Sequence, residues 1–321
     1  MKLSVLDQSP ISEGSTGSQA LANTLDLARA ADALGYHRYW LAEHHGGTML
    51  AGPAPEALIG PVAATTSRMR VGSGGVMLPH YSPFKVAETF SVLAALFPGR
   101  IDLGLGRAAG TDALTTHALQ RDRRLAGPDD FPDQLAELIA YLRGAMRAEH
   151  RFHRLQTALP GGNERPTPWL LGSSPQSAIW ANQLDLPYAF ADFINPNGAA
   201  NSLAKRPEAV AVWALAAHSD QEAHRLASSS RMALHELRRG RLIAVPPPDT
   251  ALEYLRDLPG QGAAARRAVV GTPAEVRTGL EAIAEAYGAD EVLVVTITHD
   301  HAARRRSYEL IAEAFGLSAS A

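Results

Sequence analysis

Short runs of apolar residues alternate with longer amphipathic segments along most of the chain. The apolar runs are typical of buried strands, and the longer segments repeat their apolar positions every three or four residues, as helices do. Eight strands are predicted, at residues 3–6, 38–42, 70–78, 101–105, 169–171, 188–190, 210–217 and 291–298. This alternation favours a parallel sheet whose strands are joined by helical crossovers.

The segments between these strands predict helices at residues 18–34, 56–66, 83–96, 133–146, 176–183, 220–239, 273–287 and 302–315. Two stretches, 107–130 and 239–267, are rich in Gly, Pro or Arg and are predicted to form excursions over one rim. Because no linker is long enough to mark a second domain, residues 1–321 are expected to form a single α/β domain, a (β/α)8 TIM barrel. This fold explains eight strands better than a doubly wound sheet, and its active sites lie at the carboxyl ends of the strands.

Composition excludes several classes of function. The formal net charge of −3 gives no electrostatic case for binding nucleic acid. The chain has no cysteine, which excludes disulfides, thiolate nucleophiles, iron–sulfur clusters and cysteine-ligated zinc. There is no signal-peptide pattern at the amino terminus and no apolar run of about 20 residues, the length that spans a bilayer. We therefore expect a cytoplasmic protein with no membrane contact.

Glu43, His44 and His45 follow the strand predicted at residues 38–42 and lead into two glycines. Ionisable side chains released from a strand into a loop are where barrel enzymes keep their chemistry, and histidine can serve as an acid or a base near neutral pH. Adjacent strand residues point to opposite faces, so Glu43 shares a face with His45 and not with His44. That geometry argues against one compact metal site. The alternative is a polar strand end that meets solvent.

A candidate anion site follows the strand at residues 169–171. Gly172, Ser173, Ser174 and Ser177 lie where that strand gives way to a predicted helix, and the N–H groups of a helix N-terminus suit a phosphate. Arg107 follows another strand and could reach the same rim with a fixed, bidentate charge. The alternatives are an ordinary serine N-cap and a surface ion pair.

The strand at residues 70–78 contains Ser73, Gly74 and Gly75. Missing Cβ atoms allow unusual backbone geometry or the close approach of a flat ligand. The alternative is a β-bulge of the barrel.

A competing site lies at His299, Asp300 and His301, because two histidines one residue apart can bind a metal. Other strands supply no matching ligands, and Asp300 is instead interpreted as the N-cap of the last helix. Trp40, Trp169 and Trp180 are interpreted as packing residues because their neighbours are apolar.

Four segments together resemble the bacterial luciferase-like, flavin-dependent monooxygenase family: residues 39–45, 72–79, 100–107 and 171–174. The similarity covers nearly the whole chain. It implies a (β/α)8 barrel that binds FMN, which a separate NAD(P)H-dependent flavin reductase supplies in reduced form. It also implies that reduced FMN reacts with O2 to give a 4a-peroxyflavin, which oxygenates a small organic substrate. Barrels of this family often pair as homodimers.

The resemblance also implies roles for individual residues. His44 resembles the active-site histidine beside the reacting edge of the flavin, with Glu43 and His45 as supporting neighbours. The FMN phosphate would be held by residues at two strand exits: Arg107, Gly172, Ser173, Ser174 and Ser177. Ser73, Gly74 and Gly75 match the strand beneath the isoalloxazine, where the family often has a non-prolyl cis peptide.

The chain departs from the family pattern near the rim. Prolines and a glycine leave little helical length for the sixth crossover at residues 191–209, and residues 240–268 are shortened and rich in proline. Ala108-Ala109-Gly110 replaces the more usual Ala-Pro-Gly. Three other functions stay open: a deazaflavin-dependent hydride transfer, a flavin-binding or storage role without turnover, and a metal-dependent hydrolase.

Overall fold

The computed structural model describes residues 1–107, 112–120, 129–196, 204–256, 258 and 268–318. Within these residues nine strands form one parallel sheet. The strands are β1 (Lys2–Asp7), β2 (Arg38–Leu41), β3 (Arg70–Met77), β4 (Ile101–Gly106), β5 (Thr167–Gly172), β6 (Tyr188–Ala191), β7 (Ala209–Ala216), β8 (Ala268–Gly271) and β9 (Glu291–Val295).

Eight of these strands close into a barrel. Each strand from β1 to β6 pairs with the next one along the chain, β7 pairs with β9, and β9 pairs with β1. The predicted (β/α)8 barrel is confirmed, and each predicted strand corresponds to one barrel strand. The short strand β8 was not predicted. It pairs with residues 213–216 at the end of β7, outside the closed ring.

Helices connect most of the strands. They are α1 (Gly17–Leu34), α2 (Pro55–Ala64), α3 (Pro83–Leu96), α4 (Ala113–Leu119), α5 (Phe131–Arg143), α6 (Pro175–Gln183), α7 (Asp220–Arg238), α8 (Pro248–Arg256), α9 (Pro273–Tyr287) and α10 (His301–Phe315). Their ends follow local chemistry. A capping box between Thr272 and Glu275 begins α9, and Gly35 ends α1 at a φ of 88° that favours glycine. The helices α4 and α8 were not predicted and lie in the two rim excursions.

The connection between β6 and β7 differs from the others. Its described residues, 192–196 and 204–208, contain no helix, which agrees with the shortened sixth crossover expected from the sequence. Residues 108–110, where the chain departs from the family pattern, lie outside the described residues. No helix in the described ranges combines the length and hydropathy needed to cross a membrane.

Apolar side chains fill two layers of the barrel. The outer layer lies between strands and helices and includes fully buried Leu27, Ile59 and Phe90. The inner layer lies inside the ring of strands, because alternate residues of a barrel strand point inward. It includes Leu6, Trp40, Trp169, Trp213 and Leu293. The middle of the barrel is therefore packed and apolar.

Charged side chains at the first residues of the strands close the amino-terminal end of the barrel. Arg38 donates to Glu291 and to Asp102, at 2.6 Å each, and Arg70 donates to the other oxygen of Asp102 at 2.5 Å. We call these four residues the ion cluster. Burial opposes the charge of Arg38, but Asp102 and Glu291 outweigh burial and raise the pKa of Arg38. This end of the barrel is therefore sealed by charges that satisfy one another.

Candidate active site at the carboxyl ends of the strands

A cavity of about 470 Å³ opens at the opposite end, where the strands finish. Its volume lies within the range of small-molecule sites. Most of the residues predicted for the site line this cavity: Glu43, His44, Gly74, Gly75, Arg107, Gly172, Ser173, Ser174 and Ser177. His45 and Ser73 are not among the lining residues. The rest of the wall is largely apolar and includes Leu6, Trp40, Phe131, Trp180, Phe193 and Leu293.

The two adjacent histidines differ in position, although β2 ends at Leu41, before both of them. His44 lines the cavity. His45 does not line it, and its Nε2 contacts Oε1 of Glu43 at 2.7 Å. Glu43 contacts His45 but lines the cavity together with His44, so Glu43 does not keep to the face of His45 alone, and His44 is the imidazole that lines the cavity.

Glu43 is fully buried, with 0% of its side chain exposed. Its carboxylate accepts three hydrogen bonds from separate parts of the chain: from His45, from the Tyr81 hydroxyl at 2.9 Å, and from the Met77 backbone N–H at 2.9 Å. Burial, and next the charge of Glu43, raise the pKa of Tyr81 far above its usual value. Tyr81 is therefore a neutral donor to this carboxylate at physiological pH.

The glycines of β3 form one wall of the cavity. The peptide bond between Gly74 and Gly75 is cis, as the family resemblance implied. Ser73 lies beside them, but its hydroxyl is buried and donates to the carbonyl of Gly104 at 2.9 Å. The β3 contribution to the cavity therefore comes from the two glycines, which present backbone only, and from Met77 at the end of the strand.

Arg107, Ser173 and Ser174 meet at another part of the rim. The helix α6 begins immediately after Ser174, whose side chain makes no capping hydrogen bond. Ser177 uses its hydroxyl within the protein, donating to the Ser174 carbonyl at 2.7 Å and contacting the Tyr188 hydroxyl at 2.9 Å. Arg107 is 54% exposed and contacts Asp129 at 2.7 Å, with its guanidinium 5.7 Å from the Trp180 ring. A helix N-terminus and a guanidinium at one rim suit an anion.

The competing histidine pair has structural partners. Asp300 caps α10 by accepting from the Ala303 N–H at 2.7 Å, as predicted. His301 contacts Asp26 at 2.8 Å, and His299 contacts the Glu13 carbonyl at 3.1 Å. Across the described residues, no group of His, Asp and Glu side chains has the arrangement of a metal site.

Comparison with known proteins decides the family. A sequence model of the luciferase-like monooxygenases matches residues 1–291. The chain belongs to the luciferase-like monooxygenases.

Several known proteins resemble the chain over nearly its full length. A luciferase-like monooxygenase of Escherichia coli (strain K12) is 41% identical and covers 96% of this chain and 95% of its own. The N-acetyl-S-alkylcysteine monooxygenase of Bacillus subtilis (strain 168) is 37% identical and covers 98% of each chain. The crystal structure of apo-MsnO8 has a TM-score of 0.87 at 41% identity and covers 99% of each chain.

More distant structures share only the fold. One is the oxygenating constituent of 3,6-diketocamphane monooxygenase from Pseudomonas putida in complex with FMN, with a TM-score of 0.70 and 21% identity over 98% of this chain and 97% of that one. Another is an F420-dependent secondary alcohol dehydrogenase, with a TM-score of 0.63 and 14% identity over 98% of each chain. This fold therefore holds both a flavin and a deazaflavin.

Some lining residues of this luciferase-like chain were missed from the sequence. Trp40 and Trp180 were interpreted only as packing residues, yet both line the cavity, whereas Trp169 is buried beneath. Phe193 and Ile194 also line it. Their position just after the strand at residues 188–190 was the available signal, since strand exits of a barrel meet at one rim.

Proposed function

We propose that this protein is an FMN-dependent monooxygenase that uses reduced FMN and O2 to oxygenate a small organic molecule. The observation that carries the proposal is a single cavity that brings together an imidazole, a glycine wall and an anion-binding rim. His44 provides the first, Gly74 and Gly75 the second, and Arg107 with the start of α6 the third. The anion-binding rim suits the phosphate of FMN, the glycine wall suits its flat ring, and the imidazole suits proton transfer beside the substrate.

The residues present fit FMN. The N-terminus of α6, the Ser174 hydroxyl without a capping bond, and the Arg107 guanidinium are donors suited to its phosphate. The backbone of Gly74 and Gly75 allows a flat ring to approach closely. Bound in reduced form, FMN would supply the two electrons that reduce O2 so that one oxygen atom reaches the substrate.

His44 is the proposed acid–base residue. It is partly exposed at the cavity wall and belongs to a side-chain type whose pKa suits proton transfer at neutral pH. The apolar wall, with Trp40, Phe193 and Leu293, keeps water away from the reacting atoms. His44 would hold or deliver a proton at the oxygen that leaves as water.

An anaerobic titration with reduced FMN tests the cofactor assignment. We expect saturable binding by the wild type and an affinity about 10–150-fold lower in Arg107→Ala, because a charged hydrogen-bond partner of the phosphate is lost. Arg277→Ala is a matched control, since Arg277 also contacts a carboxylate (Glu281, at 2.9 Å) and lies 5.5 Å from an aromatic ring. No binding of reduced FMN by the wild type would refute the proposal.

Admitting oxygen to the reduced complex tests the role of His44. With substrate present we expect turnover by His44→Ala to fall about 10²–10⁴-fold, with H2O2 released instead of product. His299→Ala is the control and should behave as wild type. Release of H2O2 by the wild type with every substrate would favour a flavin-binding or storage role, which the intact Glu43-His44-His45 motif argues against.

A deazaflavin is the alternative cofactor, because a structure of the same fold is an F420-dependent dehydrogenase. Parallel titrations with reduced FMN and reduced F420 separate the two, and tighter binding of F420 would replace oxygenation by hydride transfer. For substrates, the 37% identity to an N-acetyl-S-alkylcysteine monooxygenase makes N-acetyl-S-alkylcysteines the first compounds to assay.

We also propose a separate NAD(P)H:flavin reductase as partner and a homodimeric assembly. A protein of the same fold is described as the oxygenating constituent of its enzyme, which supports the first. Val92 and Leu96 on α3, 44% and 65% exposed, offer apolar surface for the second. We expect product formation to require an added reductase. We expect analytical sedimentation to give the mass of two chains.

A further inference from the structure

Glu43, His45 and Tyr81 form a hydrogen-bonded cluster at the cavity, in which Glu43 is buried and lines the cavity and the other two side chains are half-buried. The Glu43 carboxylate links two strand exits and the turn that follows β3, because its three donors come from His45, Met77 and Tyr81. A carboxylate oxygen only accepts, so the Nε2 that contacts it carries the proton of His45. Both oxygens of the Glu43 carboxylate are thus hydrogen-bonded to donors within the protein.

The Met77 contact gives this cluster a consequence for the cavity. Met77 lies two residues after Gly75, and Gly74, Gly75 and Met77 all line the cavity. The Glu43 carboxylate fixes the backbone N–H of Met77 at 2.9 Å and therefore fixes the end of the β3 wall. A shift of a wall by about 1 Å is enough to spoil the fit of a rigid ligand.

Neighbouring side chains restrict the cluster further. The His80 ring packs edge-to-face on the His45 ring, with centroids 5.7 Å apart, and His80 in turn contacts Gln120 at 3.1 Å. Side chains locked by packing and outer hydrogen bonds hold a site more rigidly than side chains on open loops.

We propose that Glu43, His45 and Tyr81 are positioning residues that hold the β3 wall of the cofactor site, while His44 alone of the Glu43-His44-His45 motif acts on the reacting atoms. The inference rests on the proposed function for the identity of the cofactor. It divides the motif by role: loss of His44 affects turnover of the loaded protein, whereas loss of the other residues affects cofactor affinity.

Amide hydrogen exchange measures the hydrogen bond between Glu43 and the Met77 N–H without any cofactor. In the cofactor-free protein we expect the Met77 amide to exchange slowly in wild type and at least about tenfold faster in Glu43→Ala, because the charged acceptor of this N–H is gone. Glu43→Gln keeps an acceptor oxygen and should restore much of the protection. Equal protection of Met77 in all three proteins would overturn the proposal.

Titration with reduced FMN supplies the second readout. Tyr81→Phe should lower the affinity about 3–10-fold, and His45→Gln about 10-fold, while turnover at saturating FMN stays within about 2-fold of wild type. Tyr36→Phe is the matched control, since its hydroxyl also makes one buried bond, to the Tyr308 carbonyl, remote from the cavity. The control should leave the affinity for FMN unchanged.

Two results would contradict the inference. Unchanged affinity with strongly reduced turnover in Tyr81→Phe and His45→Gln would make these residues catalytic, and unchanged affinity and turnover would make them merely structural. If wild type binds no FMN, the proposed function fails. The exchange rate of the Met77 amide still tests whether Glu43 holds this end of β3.

Discussion

At the amino-terminal end of the barrel, Arg38, Asp102 and Glu291 are buried and bound to one another, whereas at the carboxyl end Arg107 lies exposed at the rim of the cavity. Arg38, Asp102 and Glu291 satisfy one another's hydrogen bonds inside the protein. Arg107, in contrast, is 54% exposed beside a helix N-terminus whose serine side chain makes no capping bond. The ion cluster therefore closes one end of the barrel, whereas Arg107 and the start of α6 at the other end are suited to bind an anion.

The contrast explains why stability and ligand binding can be assigned to different residues. A buried charge without its partner carries a large desolvation penalty, so members of the ion cluster depend on each other. An exposed ion pair contributes little to stability because water solvates both groups. We therefore expect substitutions at the two ends to separate into losses of stability and losses of affinity.

The largest effect should follow Asp102→Ala, which leaves Arg38 and Arg70 facing no carboxylate at that position. The free energy of unfolding should fall by about 3–5 kcal/mol, because an uncompensated charge remains buried. Chemical denaturation measures this, with Arg107→Ala as the comparison, which should change stability by less than about 0.5 kcal/mol. A loss below about 1 kcal/mol for Asp102→Ala would mean that the ion cluster is not what seals this end.

A smaller effect concerns Asp32, which accepts hydrogen bonds from the backbone N–H groups of Ser67, Arg68 and Met69 just before β3. Burial raises the pKa of Asp32, but these N–H groups outweigh it and the net pKa is lowered. Its stabilisation is therefore complete above the unfolded-state pKa of about 3.9 and is lost as the pH falls through the lower folded-state pKa.

Asp32→Asn should consequently destabilise the protein by about 1–3 kcal/mol at pH 7. The difference in the free energy of unfolding between wild type and variant should narrow below about pH 4 and disappear at lower pH. Unfolding curves recorded between neutral and acidic pH test this, and a difference that widens on acidification would reverse the assigned sign.

The smallest effect compares two serines that precede helices. Ser219 accepts from the Glu222 N–H at 3.2 Å, whereas Ser174 makes no capping bond. Ser219→Ala should cost about 1 kcal/mol of stability without affecting FMN. Ser174→Ala should leave stability within about 0.5 kcal/mol and lower FMN affinity about 2–10-fold. If both changes lowered stability equally, Ser174 would be a helix cap like Ser219 and would not be assigned to ligand binding.

The barrel could be predicted because its signals are local. Each barrel strand is a buried apolar run, and most helices carry a repeated apolar face. The helices α4 and α8 escaped prediction because they lie in stretches dominated by Gly, Pro or Arg, where composition indicates loops. The strand β8 was missed because four residues at the edge of such a stretch carry too little periodicity.

The site was predictable only where one residue's neighbours in sequence are also its neighbours in space. His44 and His45, adjacent in sequence, were expected to face different ways, and only His44 lines the cavity. The partners of Glu43 at Met77 and Tyr81 lie more than 30 residues away, and pairing at that separation depends on strand register. Trp40 was interpreted only as a packing residue because its apolar neighbours do not reveal which part of its ring meets a cavity.

Trp40 belongs to both ends of the barrel. Trp40 lines the cavity, and its Nε1 donates to Asp102 of the ion cluster at 3.0 Å. A smaller residue at this position would deepen the cavity but would also bring a ligand to a buried carboxylate and remove one of its donors. We therefore expect evolutionary change in substrate size to occur at rim positions such as Phe193 and Ile194, with the depth of the cavity inherited unchanged.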